Sequence, residues 1–106
     1  MIKFDEWKKL DIRIGEIKEI KDHPNADKLY ILKVDIGDRE IQVVSGLKEY
    51  YEKKDLEGKK FVFFVNLEPV NLRGENSEGI ILAAVKDKKV VLLKPDKKIE
   101  NGAKIE

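Results

Sequence analysis

The spacing of hydrophobic positions changes several times along the chain. In "DIRIGEIKEI", Ile12 and Ile14 alternate with polar residues, and Ile17 takes up the opposite phase after Gly15. A glycine at a phase change predicts a bulge or sharp coil, a bend that lets one strand serve two sheets. In "LYILKVDIG", Tyr30, Leu32, Val34 and Ile36 share one face of a strand, and Gly37-Asp38 supplies the turn that follows. "EIQVVSGL" reads as a short partner strand. "KFVFFVNL" is apolar on both faces, with Phe61, Phe63 and Val65 on one and Val62 and Phe64 on the other. "GIILAAV" and "VVLL" read as a pair joined by "KDKK", and Pro95 ends the ladder.

Two segments have helical spacing. "FDEWKK" places Phe4, Trp7 and Leu10 three apart, with Asp5 suited to the positive end of a helix dipole. "KEYYEKKDLEGKK" has mixed helical character and is closed by Gly58, while "NLEPVNLRGENSEG" reads as a long irregular loop. The order is then helix, three strands, short helix, and two or three strands. That is the pattern of an OB-fold, an all-β class with short helices built on a five-stranded, partly open Greek-key barrel; a simple antiparallel meander with a helix is the alternative. At 106 residues the chain is expected to be one domain, with residues 1–10 as a helical extension and 86–106 as a C-terminal strand extension. A small barrel buries only its inner face, so strands apolar on both faces predict a further partner. A second copy of the chain is the favoured one, with the C-terminal strands serving dimerisation.

Composition narrows the classes. Apolar residues make up 42% and charged ones 41%, which is globular and not disordered. No apolar run approaches the ~20 residues that span a bilayer, and the opening "MIKFDEWKKLDIR" is too charged for a signal-peptide core. A cytoplasmic location without membrane contact is expected. Zero Cys excludes disulfides, zinc–thiolate sites and a thiol nucleophile. The abundance of Lys, Glu and Ile resembles the bias of thermophile proteins. A net charge of +1 argues against gripping nucleic acid by bulk charge, yet the charge is uneven. The stretch 66–85 carries one Arg against three Glu, and 86–106 seven Lys against four acids.

Catalysis fares poorly. His23 is the only imidazole, so no His cluster can hold a metal. A nucleophile–base pair would need Ser45 or Ser77 with His23, at no matching spacing. "SGL" and "LRGENSEG" lack the spacing and strand-to-helix setting of a phosphate-cradling loop. A loop-fixing role for His23 is therefore expected, and no cofactor, metal or enzymatic activity. An OB barrel meets its ligand at the loops joining strands 1–2 and 4–5, which here are "HPNADK" and "NLEPVNLRGENSEG".

"HPNADKLYILKVDIG", "VVSGL", "NLEPVNLRGENSEGIILAA" and "LLKPDKKIENGAKI", in order, resemble the tRNA-binding domain family. That domain ends many methionyl-tRNA synthetases, also occurs as free-standing dimeric tRNA-binding proteins, and includes secretion-chaperone-like relatives. The opening "FDEWKKLDIRIGEI" is similar to the dimeric branch, and the likeness runs from about Phe4 to Ile105. The resemblance implies an OB-fold homodimer, non-catalytic, that binds tRNA by shape. It would act in trans or as a synthetase β subunit, with tRNA, itself and a methionyl-tRNA synthetase as partners. The alternative is a chaperone-like protein holding unfolded chains in an apolar dimer groove.

Carried over residue by residue, the RNA-binding candidates are Asn25, Lys28, Ser45, Asn66, Arg73 and Ser77. Lys28 and Arg73 would contact phosphates. Ser77 and Asn66 would bond phosphate or 2′-hydroxyl oxygens, although Asn25 and Asn66 serve equally well as turn-fixing side chains. Tyr30 is expected in the core rather than stacked on a base, and Glu78 paired internally with Arg73 or Lys28. Glu68 stands where relatives commonly carry Lys, and Val70 and Asn71 where further basic residues are common. These changes weaken phosphate attraction at that loop. Ile80 replaces a Met and is expected to pack.

Overall fold

Strand β1 (Ile12–Asp22) is long because each of its halves finds a different neighbour. In the computed structural model, which describes residues 1–106, Glu16–Asp22 pair antiparallel with β2 (Tyr30–Asp35) and Ile12–Glu16 with β4 (Lys60–Phe64). β3 (Glu40–Ser45) follows β2 across a tight turn, and β7 (Ile80–Ile81) pairs with β4, giving the sheet order β3-β2-β1-β4-β7. Between β4 and β7 lies a hairpin of β5 (Val70–Leu72) and β6 (Glu75–Ser77); beyond β7, β8 (Ala83–Lys86) and β9 (Lys89–Leu92) form a ribbon. One short helix, α1 (Phe4–Trp7), precedes the barrel. No helix is long and apolar enough to cross a membrane.

The sheet curls until its free edge is covered. Glu78 N–H donates to the Gln42 carbonyl (2.8 Å), the Glu78 carboxylate accepts the Gln42 N–H (2.9 Å), and Ser77 Oγ accepts the Val44 N–H (3.0 Å). The result is a five-stranded, nearly closed antiparallel barrel of the OB type, as the strand order implied. Its interior is one cluster of buried side chains that includes Tyr30, Leu32, Val34 and Ile36 from one alternating face, and Phe61, Phe63 and Val65 from another. The opposite faces of β1 and β4 build a smaller outer cluster on Ile12, Ile14 and Val62, flanked by Leu10, Phe64, Leu82, Ala103 and Ile105.

Three expectations need correction. The bulge lies at Lys18, not Gly15: Ile17 faces Val34 and Glu19 faces Lys33, so one residue is left over. It turns both Ile17 and Ile20 toward the main core. Gly15 answers a different need, because a Cβ there would lie 2.7 Å from Val34 Cγ1 and 2.8 Å from Phe63 Cδ1. The segment 48–60 forms only a 3₁₀ turn, Lys53–Asp55, fastened by reciprocal capping between Glu52 and Asp55. Leu56 alone is fully buried there, too little apolar surface to hold a helix against the barrel. The irregular loop 66–79 proves to contain the β5–β6 hairpin.

The C-terminal segment closes the remaining edge of β1. Gly102 N–H donates to the Ile14 carbonyl (2.7 Å), Ile14 N–H to Ala103 (2.9 Å) and Ile105 N–H to Ile12 (2.8 Å). Polar clasps reinforce the same end. The Arg13 guanidinium donates to Asp11 from Nε (2.8 Å) and Nη2 (2.9 Å) and to Asp38 from Nη1 (2.9 Å), while the Asn101 amide donates to Glu16 (3.0 Å) and Asp35 (3.2 Å). The Arg13 hydrogen bond holds the Asp11 carboxyl below its ordinary range, and the Asn101 amide does the same for Glu16. A pair of lysines, Lys48 foremost, acts likewise on Asp22. Carboxyls depressed in the folded state bind protons more weakly there than in the unfolded chain. Their stabilisation is complete at neutral pH and is lost as pH falls through the ordinary carboxylate range, about 4, and below. The melting temperature is therefore expected to hold from pH 7 to about 5 and to fall toward pH 2, with the acid limb shallower in Asp11→Asn. A flat profile to pH 2 would contradict this role.

Candidate nucleic-acid interface

His23 follows directly on β1, and its backbone N–H donates to the Leu29 carbonyl (3.1 Å), which closes "HPNADKL" into a compact loop. The ring is 5% exposed. Its Nδ1 accepts the Asn25 N–H (2.9 Å), so the proton sits on Nε2, which donates to the Leu72 carbonyl (2.8 Å). The lone histidine thus fixes its own loop with one nitrogen and locks it to the β5–β6 hairpin with the other. That is the loop-fixing role expected of it. Asn25 Nδ2 adds a longer contact to the Arg73 carbonyl (3.5 Å).

The hairpin turn is built on Arg73 and Gly74, both at positive φ (56° and 94°). Two positive-φ central residues make a type I′ turn, whose favoured sequences are Asn-Gly and Asp-Gly. An Arg in this left-handed conformation carries strain of order 1 kcal/mol. Asn71 Oδ1 accepts the Gly74 N–H (2.9 Å) and steadies the turn. The guanidinium is exposed and free of a carboxylate, unlike Arg13 and Arg39, which pair with Asp11 and Asp38. Lys28 also faces solvent, its ammonium 3.8 Å from Glu49 in an exposed ion pair of little strength.

Three of the six sequence-derived candidates, Asn25, Lys28 and Arg73, line one depression between the two loops, with Asp27 as its one acidic residue. Ser45, at the end of β3 and paired with Tyr30, lines a different hollow. The other two are occupied by the fold. Asn66 Oδ1 accepts the Asp11 N–H (2.9 Å) and Nδ2 donates to the Lys9 carbonyl (2.8 Å), tying the α1–β1 link to the end of β4. Ser77 is buried, and its hydroxyl donates to the Gly79 carbonyl (2.9 Å) while accepting from Val44. Tyr30 is in the core, as expected, with its hydroxyl donating to the Tyr51 carbonyl (2.9 Å). Glu78 does find an internal partner, but it is the Gln42 backbone and not Arg73 or Lys28, which are out at the loop tips. Ile80 does not pack: it is half exposed. The part of the site that sequence reading missed is the hairpin itself and its anchor on the Leu72 carbonyl, a backbone atom that no motif reports.

His23→Ala removes both bonds and leaves the Leu72 carbonyl short of a donor. It is expected to cost about 1–3 kcal/mol in urea unfolding and to loosen the hairpin. Amide exchange at Gly74 and Glu75 should rise relative to exchange in β2. Unchanged exchange there would show that the hairpin stands without the histidine.

A nearly closed five-stranded barrel, with a cationic corner where its 1–2 and 4–5 connections meet, defines an oligonucleotide-binding class of domain. The chain belongs to the tRNA-binding domain family. The family model described as "Putative tRNA binding domain" matches residues 12–104. The methionine–tRNA ligase of Pyrococcus abyssi is 52% identical over 104 residues, which make up 98% of this chain and 14% of the ligase. The crystal structure of a MetRS-related protein from Pyrococcus horikoshii superposes with a TM-score of 0.92 at 33% identity, over 99% of this chain and 97% of the other. That of the CsaA chaperone protein from Picrophilus torridus gives 0.90 at 36% identity over the whole of both chains. The domain of this family is a binding domain, although its ligase relatives are enzymes.

Proposed function

We propose that this domain holds folded tRNA by its phosphate backbone at the corner formed by Asn25, Lys28 and Arg73, and that it works as a homodimer. The observation that carries the reading is the His23 bridge. It locks together two loops that each present an exposed cation, one of them on a strained turn. Strain kept in an exposed turn points to use of the side chain it presents. Tyr30 is buried and offers no ring for stacking, so the corner itself is read as a contact to phosphate and backbone. The cytoplasm is the place such a role implies. The domain would serve tRNA in trans or as an appendage or β subunit of a methionine–tRNA ligase.

The homodimer rests on the outer cluster. Leu10 and Ile105, which flank Ile12, Ile14 and Val62, share a hollow with Phe4 and Trp7 of α1, and the Leu93 carbonyl accepts the Val62 N–H. Phe4 is 68% and Leu93 41% exposed, and Val91 beside Leu93 is open as well. These exposed apolar residues around the outer cluster fit a self-complementary contact of residues 1–10 and 86–106 with the same segments of a second copy. A second reading follows from the likeness to the CsaA chaperone protein, since the same hollow beside Phe4, Trp7 and Ile105 could receive an unfolded polypeptide.

One experiment separates them. Sedimentation at micromolar concentration is expected to give twice the chain mass, and a titration should favour bulk tRNA over single-stranded RNA of matched length. A protein that binds a reduced, unfolded polypeptide and ignores tRNA would establish the second reading, and a monomer in sedimentation would remove the homodimer.

A further inference from the structure

Next to the corner, beginning at the neighbouring residue of the hairpin, is a second hollow of about 240 Å3. Leu67, Val70, Leu72 and Ile80 line it, and Ser45 and Glu68 contribute the polar groups. Val70 and Ile80 are 54% and 49% exposed, although each is large and apolar. The hollow is smaller than the ~300 Å3 at which drug-sized sites begin, so it has room for one small group. Leu72 belongs to the hollow and Arg73 to the corner. The corner and the hollow thus meet at consecutive residues of one hairpin.

We propose that the slot takes one unpaired nucleobase of the bound RNA, and that Glu68 selects guanine. This rests on the reading of the corner as an RNA site. Aliphatic walls clamp the faces of an extruded base as apolar side chains do elsewhere. A carboxylate is an acceptor only, with two oxygens. It repels phosphate, which keeps the backbone on the Lys28–Arg73 side. Guanine presents two neighbouring N–H donors, N1–H and the exocyclic N2 amine, which match those two oxygens. Uracil offers carbonyl oxygens on either side of its single N–H and is rejected. The acidic residue that weakens phosphate attraction in "NLEP" thereby gains a positive role.

The test uses 5′-GMP and 5′-UMP, which share a phosphate and differ only in the base. Amide shifts at Ser45, Leu67, Val70 and Ile80 are expected with GMP, at about tenfold lower concentration than with UMP. Glu68→Gln should level the two nucleotides. Ile80→Trp and, independently, Val70→Trp fill the hollow from exposed positions. They should weaken tRNA binding about tenfold while leaving its salt slope unchanged, because no phosphate contact is lost. Full-strength tRNA binding by both tryptophan variants, with no GMP shifts in the slot, would overturn the slot and leave the corner standing. Failure of the wild type to bind tRNA at any salt would bring down the corner reading and the slot with it. Shifts of Val70 and Ile80 by a reduced, carboxymethylated protein but not by GMP would make the occupant a polypeptide and overturn the proposal.

Discussion

Arg73→Asn is expected to bind tRNA about five- to tenfold more weakly than the wild type at 0.1 M salt, yet to melt at the same temperature or higher. Asn is among the residues best suited to the first central position of a type I′ turn, where Arg73 sits at φ 56°. The exchange relieves backbone strain while deleting a cation. The salt dependence separates phosphate loss from any change of shape, since each lost phosphate contact lowers the slope of log K against log salt by about 0.7–0.9. Combined with Lys28→Ala, the slope should fall by about 1.4–1.8. A melting temperature lowered in Arg73→Asn, with binding intact, would make the arginine a structural residue of the turn and remove it from the site.

Phe63→Ala should have the largest effect on stability, about 3–5 kcal/mol, measured by urea unfolding. That is a large share of the ~5–15 kcal/mol that holds a domain of this kind together. The ring is fully buried among residues of β1, β2 and β7, and it lies against the bare face of Gly15. The two positions are therefore coupled. In the wild type, a Cβ at residue 15 meets Phe63 Cδ1 at 2.8 Å, so Gly15→Ala forces the ring or Val34 to shift. In a Phe63→Ala background the ring is gone and the space it leaves lets Val34, whose Cγ1 stands at 2.7 Å, give way, so the cost of Gly15→Ala should shrink. The double-mutant cycle reads this directly as a coupling energy. Strict additivity would mean that Gly15 is there for another reason.

Much of this core could be read from alternation alone. Strands β2 and β4 obey a period of two, and the division of Phe61, Phe63 and Val65 from Val62 and Phe64 into two clusters is what their spacing implied. The features that escaped reading are those in which one residue type can serve several backbone states. Lys18 bears no mark of a bulge, because the extra residue points into solvent and any polar side chain would do. Arg-Gly is a poor advertisement for a type I′ turn, so the β5–β6 hairpin looked irregular. The segment 48–60 has helix-forming residues but a single deeply buried one, Leu56, and tertiary packing decides such cases.

The site was legible in part for a related reason. Short polar residues in a loop motif look alike whether they face a ligand or fasten the chain to itself. Asn66 and Ser77 have both hydrogen-bonding capacities occupied inside the protein, and "SEG" closes the barrel edge through Ser77 and Glu78. Long cations behave differently. Lys28 and Arg73 have no such internal use, so the sequence placed them on the surface correctly, but only the His23–Leu72 bond shows that they share a corner.

The most direct test of the central claim, that two loops locked by His23 form the RNA-contacting corner, is a map of amide chemical shifts during titration with bulk tRNA at low and moderate salt. The largest changes are expected at Asn25, Lys28, Arg73 and Gly74, with a rim at Ser45, diminishing together as salt rises. Changes confined to α1, β8 and β9, or none in either loop while tRNA binds, would contradict it and move the RNA to another face of the barrel.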